Sequence, residues 1–515
     1  MSKKLLKSTA LVGGLTLISR ILGFIRDIVI AQVFGASVST DAFLVAFKIP
    51  NFMRRLFAEG AFSQAFIPIL SEYKTQQDAS TVKQLVDRVA GSLGSILSLV
   101  TLLGILGAPL LVVVFAPGFL QYPDKYTLTL AMLQITFPYL LFITLTALAG
   151  AILNTYGRFA VPALTPVVLN LVLISATIWL APYFKQPIMA LAWGVLLAGM
   201  VQLALQLPFL YRLQLLPKPQ LNWHDEGVKR ILHLMIPALF GVSVSQINLL
   251  VDTLMASFLV TGSVSWLYYS DRIMEFPVGV FGLALATVTL PNLSKSVARH
   301  DMFSYNNTLD WALRWVILIA TPAMVGLITL AQPILMTLFY RGAFSESDVV
   351  MTTRSLIAYA VGLLGFVLVK VLASGFYSRQ DTRTPVKIAV IAMVTNISLN
   401  LIFIWYLQHA GLALATSLSA LLNAGLLYYG LRQQNVFQPL AGWKSFLFRV
   451  SLANIGMAIF LWWNSGTLTI WLEWSTLSRA EHLFILISSG LLIYLVSLGL
   501  AGLRLQHIHL RLTEN

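Results

Sequence analysis

The sequence predicts an all-α polytopic membrane protein with fourteen transmembrane helices. Three observations carry that prediction: a lipid-like composition, long runs without charge, and a one-sided distribution of basic residues. Of 515 residues, 58% are hydrophobic and only 10% are charged, where a soluble domain carries about 25% charged residues. Mean hydropathy is +0.81. So few charges cannot cover the surface of a water-soluble protein of this size. The chain has no Cys, which excludes disulfide frameworks, thiolate metal sites and Cys nucleophiles. The net charge of +14 reads as a bias of cytoplasmic loops, and no nucleic-acid partner is expected.

A membrane helix needs about 20 mostly apolar residues. Stretches free of Asp, Glu, Lys and Arg run 89–123, 126–157, 159–184, 186–211, 231–251, 253–270, 276–294, 315–340, 355–369, 388–431, 450–472 and 482–503. They are apolar all round, unlike the alternating strands of a barrel. The 388–431 run is too long for one span and divides at Gln408-His409-Ala410-Gly411, a polar break with a helix-stopping Gly. Two further regions, 8–34 and 40–58, carry charges but keep helical composition. The spans centre near residues 21, 49, 101, 140, 171, 199, 242, 276, 325, 363, 395, 420, 455 and 492. The start resembles a signal peptide, with Lys3, Lys4 and Lys7 before an apolar stretch. Arg20, Arg26 and Asp27 interrupt it, so it reads as an uncleaved first helix.

Basic residues set the orientation. With the N-terminus inside, the outer loops hold Lys125, Lys185, Arg341, Arg354 and Arg479. Eight more basic residues lie within spans: Arg20, Arg26, Lys48, Arg54, Arg55, Arg272, Arg314 and Lys370. Of the 34 Lys and Arg, the remaining 21 fall on the inner side. Both termini are therefore expected in the cytoplasm.

The longest polar connection, about 212–230, follows six spans. Six more come after it, then a final pair. Pro68-Ile69-Leu70-Ser71 closes the second span region, and Pro291-Asn292-Leu293-Ser294 closes the eighth, 223 residues later. This weak repeat suggests two parallel halves, as in many secondary transporters. The expected organisation is two six-helix lobes, 1–217 and 218–435, plus a C-terminal helix pair, 436–515.

An ionisable side chain at bilayer depth costs roughly 2.5–3.5 kcal/mol on insertion scales, so such residues gather in polar cavities. Span one has Arg20, Arg26 and Asp27. Span two has Asp41, Lys48, Arg54, Arg55 and Glu59, and span eight has Asp271, Arg272 and Glu275. Spans three to six have almost none. A cavity lined by spans one, two and eight follows. Asp41, Lys48, Arg55 and Glu59 fall on one helical stripe, and Pro50 is expected to kink that helix. Arginine presents a planar donor fork that suits phosphate oxygens. A cationic cavity in an apolar bundle fits a substrate with an anionic head and a lipid tail. The alternative is that these charges pair with one another and only hold the bundle together. It stays open above all for Asp27, Asp41, Asp271 and Glu59. Arg314 and Lys370 read as structural or snorkelling, and Arg314→Ala is expected to be mild.

A second polar set has Asp252 near Ser243, Ser245, Gln246 and Asn248, and Asp381 followed by Thr395, Asn396 and Asn400. These oxygens suit a hard cation or form a hydrogen-bonded seam between helices. There is no phosphate-binding G-x-x-x-x-G-K-[ST] loop, H-E-x-x-H, G-x-S-x-G or Asp cluster, so no ATP motor and no enzyme is expected.

The motifs SRILGFIRD (19–27), TDAFLVAFKIPNFMRRLFAEGAFSQAFIPIL (40–70), GAILNTYGRFAVPALTPVVLN (150–170), SWLYYSDRIMEFPVGVFGLALATVTLPNLSK (265–295) and GFYSRQDTRTPVKIA (375–389) resemble the MurJ (MviN) lipid II flippases. That family lies in the multidrug/oligosaccharidyl-lipid/polysaccharide exporter superfamily. The resemblance covers essentially the whole chain. It implies fourteen helices in two six-helix lobes plus a pair that forms a groove for the lipid tail. It implies movement of the undecaprenyl-diphosphate-linked peptidoglycan precursor to the outer leaflet of the bacterial inner membrane by alternating access. Family cavity arginines match Arg20, Arg26, Arg54, Arg55 and Arg272, and family acidic positions match Asp41 and Glu275. A sodium site of some members would match Asp252 and Asp381. The expected partners are lipid II, membrane lipids and cell-wall synthesis proteins, with the chain as a monomer. The competing readings are export of another lipid-linked oligosaccharide or of drugs within the same superfamily, an enzyme acting on lipid diphosphates, and a non-transporting scaffold. Cavity cations argue against cationic drugs.

Reporter fusions test the topology. Both termini should report cytoplasmic, and the loops near 120 and 345 periplasmic. A periplasmic C-terminus would mean a miscounted span.

Overall fold

The computed structural model describes residues 3–503, except the side chains of residues 3–10, 58, 59, 61, 237, 238, 240–245, 247, 249 and 283. Lys3, Lys4, Lys7, Glu59, Ser243 and Ser245 therefore lie outside the described side chains, and Arg504 and Arg511 outside the described residues. Among the described residues the chain is helical, with no strand. It divides into two compact units, Met1–Ser265 and Trp266–Asn515.

The first unit holds α1 (Lys3–Phe34), α2 (Val38–Arg54), α3 (Ser63–Gln76), α4 (Ala79–Leu106), α5 (Ala108–Phe115), α6 (Pro123–Thr136), α7 (Tyr139–Thr155), α8 (Ala160–Ser175), α9 (Met189–Arg212) and α10 (Glu226–Ala256). The division falls in the first turn of α11 (Ser263–Pro277). The second unit continues with α12 (Leu283–Ala298), α13 (Met302–Thr329), α14 (Ala331–Leu338), α15 (Glu346–Val361), α16 (Leu363–Tyr377), α17 (Arg383–Gln433), α18 (Trp443–Asn464), α19 (Leu468–Glu473) and α20 (Thr476–Leu500). Ten helices among the described residues are long and apolar enough to cross a membrane. α1, α2 and α10 are not among them. Each carries several charges along its length.

The compact division lies beyond the 212–230 connection because α10 packs on α3 and α4 in the first unit. Polar contacts at the start of α10 explain this. The Asp87 carboxylate on α4 accepts the Lys218 N–H at 2.7 Å and pairs with Lys83. Asp225 caps α10 through the Val228 N–H at 3.1 Å and also pairs with Arg88. Arg230 pairs with Glu72 at 2.8 Å, and that hydrogen bond holds the Glu72 carboxyl below its usual range. Gly91 is required where the chain crosses α4, because a Cβ there would overlap the Gln220 backbone.

α2 runs through Pro50 as an α-helix, and the departure from α-helical bonding comes at a π-helical turn, Arg55–Phe62. Proline cannot donate to the carbonyl four residues earlier, which is that of Ala46. The Thr136 hydroxyl donates to this carbonyl instead, at 3.2 Å. Of the other π-helical turns among the described residues, Ala176–Leu180 follows α8 and Val278–Gly282 follows α11. The turns after α2 and α11 start 223 residues apart, the same offset as Pro68 and Pro291. That offset agrees with the four-residue repeat, and π-helical turns often mark functional sites. At the predicted division of 388–431, Gln408 has φ 50° and ψ −130° inside α17, so the segment forms two helical arms. They are held by Asn396 Nδ2 donating to Thr416 Oγ1 at 3.2 Å.

The C-terminal pair α18 and α20 packs against α13 and α14. Arg314 is 9% exposed. It pairs with Asp310 at 2.6 Å, donates to the Ala441 carbonyl at 3.1 Å and lies over the Trp443 ring. Asp310 also accepts the Trp443 indole N–H at 2.6 Å. Arg314 is structural, as expected, but it is a buried tether and does not snorkel. The expectation of a mild Arg314→Ala is therefore revised. Removing Arg314 leaves the buried Asp310 carboxylate with its Trp443 and Leu440 donors but without its counter-charge, which costs roughly 3 kcal/mol. Thermal unfolding of the purified variant should show that loss, while transport per folded molecule stays near wild type.

Candidate functional site

The site is built from side chains that a lipid-facing helix would exclude. Arg26 on α1 is 6% exposed and its neighbour Asp27 0%. Arg26 Nε and Nη2 donate to Asp27 Oδ1 at 2.9 and 2.6 Å, and Nη1 donates to Asn170 Oδ1 on α8 at 3.0 Å. The Asn170 amide is oriented in turn by donating to the Ser19 carbonyl at 2.9 Å. Gly23 leaves the room, since a Cβ there would sit 3.4 Å from Asn170 Nδ2. Arg20, two turns earlier on α1, is exposed.

On α2, Arg54 Nε donates to Asn51 Oδ1 at 2.9 Å. Arg55, the first residue of the π-helical turn, donates to Gln246 Oε1 of α10 at 3.2 Å. The wider π turn breaks the 3.6-residue period after Arg54, so the predicted stripe does not continue through it. Amide oxygens help to orient Arg26, Arg54 and Arg55, and the Asp27 carboxylate pairs with Arg26 as well.

Asp41 sits differently. It is 0% exposed. Its carboxylate accepts from Lys125 Nζ at 2.7 Å, the Gly262 N–H at 2.8 Å, the Ser265 N–H at 3.0 Å and the Ser265 hydroxyl at 2.6 Å. In this conformation it caps the start of α11 and lines no open space. Lys125 was counted among the outer loop charges, yet it is 2% exposed. Arg479, from the same group, is 6% exposed and donates to the carbonyls of Trp471, Leu472 and Tyr340. One clue to Lys125 was present in the sequence. With Asp124 it interrupts two apolar runs that would otherwise join.

In the second unit, Arg272 and Glu275 form a part-exposed pair at 2.8 Å, and Arg272 also lies over the Tyr268 ring. Asp252 is half-buried on α10 in the first unit, and Asp381 precedes α17 in the second. Asp381 Oδ1 accepts the Thr384 N–H at 3.0 Å, and this bond lowers its carboxyl below the ordinary value. Asn400 donates to Asn396 at 3.2 Å, so these two amides belong to the polar seam of α17. Among the described residues, no three His, Asp or Glu side chains cluster as metal ligands.

Comparison with known proteins adds the family. Residues 30–483 match the family model described as lipid II flippase MurJ. A curated relative from Vibrio cholerae, a probable lipid II flippase MurJ, is 50% identical over 99% of this chain and 98% of its own. A solved lipid II flippase MurJ in an inward closed conformation superposes with a TM-score of 0.78 at 28% identity, over 95% of this chain and 98% of that one. An inward-facing multidrug resistance MATE family transporter shares the fold, with a TM-score of 0.67 at 15% identity over 81% and 95%.

Proposed function

Because the chain belongs to the MurJ family of lipid II flippases, which are transporters and not enzymes, we propose that it carries lipid II from the cytoplasmic to the periplasmic leaflet by alternating access. Family and apolar helices make it a multi-pass inner-membrane protein of cell-wall synthesis. The reading places both termini in the cytoplasm, with lobes 1–217 and 218–435 and a helix pair 436–515. Fourteen crossings are supported by the ten apolar helices, the charge-bearing α1, α2 and α10, and the second arm of α17 beyond Gln408.

One observation carries the assignment of the head-group site. Arginines on helices of a lipid-solvated chain are oriented by the amides of Asn170, Asn51 and Gln246, Arg26 also by Asp27. Such a partner orients the donor fork, whose planar geometry suits the oxygens of a diphosphate. Arg20, Arg26, Arg54, Arg55 and Arg272 are the proposed diphosphate ligands. Glu275 restrains Arg272, and Asp41 acts by closing over α11. Sodium at Asp252 and Asp381 is the secondary proposal for coupling.

Arg20, Arg26 and Arg272 should tolerate neither Ala nor Glu in a complementation assay at matched expression, and Lys should restore less than its charge predicts because it lacks the fork. Normal growth of all three Ala variants would remove the diphosphate role. The energy source is separately testable. The membrane potential supplies about 2.3 kcal/mol per charge per 100 mV, and an inside-negative potential drives an anionic head outward. Flipping should fall when the potential is collapsed with the sodium gradient kept. Undiminished flipping there would discard the electrical model, and undiminished flipping in Asp252→Ala would discard the sodium site.

A further inference from the structure

Lys125 has no part in the reading above, yet it occupies an expensive position. It stands on the first turn of α6, 2% exposed, with Nζ 2.7 Å from Asp41 Oδ2 and 4.3 Å from the centre of the Phe119 ring. The Asp41 carboxylate faces two ways. Towards α6 it meets Lys125, on a helix that packs along α2. Towards α11 it accepts the Gly262 and Ser265 N–H groups and the Ser265 hydroxyl. The chain just before this turn is seated on the same unit. The Gly118 N–H donates to Ser257 Oγ at 3.0 Å, and a Cβ on Gly118 would overlap the Ser257 carbonyl.

First-turn amides of a helix lack intrahelical acceptors and attract negative charge. A carboxylate is the right cap for them, but burying it alone carries a large desolvation cost. A cation at contact distance makes the buried group neutral as a whole. We propose that Lys125 is the positioning counter-ion that allows Asp41 to close over the first turn of α11. It touches no substrate and acts through Asp41. The proposal rests on the alternating-access reading, in which this closure must form and break in each cycle. When the closure opens, water hydrates the carboxylate and the ammonium separately. When it shuts, each needs the other. Loss of Lys125 therefore penalises the shut state, and so does loss of the Asp41 charge. Loss of both leaves no buried charge, and is the milder change.

The chain has no Cys, so Val264→Cys, at a position 6% exposed in that first turn, provides a single reporter thiol. Its alkylation by a water-soluble maleimide is timed on purified protein in nanodiscs, without lipid II. Added to this background, Lys125→Met should raise the rate at least about tenfold, and Asp41→Asn should also raise it. The double variant should react more slowly than either single, the signature of a coupled pair. Lys125→Arg keeps the charge and should stay within about twofold of the background. A background rate in Lys125→Met, or a double variant faster than both singles, overturns the proposal. If Lys125→Met does not fold, the double variant against Asp41→Asn decides in the same way. The readout needs no substrate, so a chain that failed to flip lipid II would leave this result interpretable.

Discussion

Ionisable and amide side chains buried among lipid-solvated helices must find their partners inside the protein, because no water is there to solvate them. The rest of this structure is arranged around that constraint. Arg26 reaches Asn170 on α8, Arg55 reaches Gln246 on α10, and Arg314 on α13 binds the Ala441 carbonyl before α18. Each contact joins elements that apolar packing alone leaves free to slide. Leu, Ala and Val surfaces match lipid about as well as they match one another. Polar contacts therefore decide register.

The same logic explains the backbone irregularities. Pro50 leaves the Ala46 carbonyl without its helical donor, and Thr136 supplies one from α6. Gln408 leaves the helical region where two apolar arms must part, and Asn396 and Thr416 bind the arms across the break. The π-helical turns after α2 and α11 alter the facing of the side chains that follow. Arg55 stands where one of these turns begins. A helical-wheel argument that ignores the turn keeps the α-helical phase only as far as Arg55.

The anchoring of the C-terminal pair shows how function and stability divide among similar residues. Arg314 and Arg479 are arginines at the ends of membrane helices, as are several of the proposed ligands. Arg314 is committed to a carboxylate and a carbonyl, and Arg479 to three carbonyls, and both are buried. Their donors are consumed in holding α18, α19 and α20 to α13 and α14. Sequence position could not identify these tethers, because what marks them is partners from remote parts of the chain.

Much of the architecture was legible because membrane insertion is read by segment. Apolar length, the break at Gln408 to Gly411, the charged character of the first two spans and the family motifs all survive as local properties of the chain. Pairing is not local. Lys125 and Asp41 are 84 residues apart, and Arg26 and Asn170 are 144 apart. Nothing in either neighbourhood announces the other residue. Asp41 looked like a lining carboxylate and is instead a buried cap. Lys125 looked like a loop charge and is its counter-ion. Composition and periodicity were enough to show a chain of long apolar helices. Only the packed helices could decide which charge meets which, because that depends on distances between elements remote in the chain.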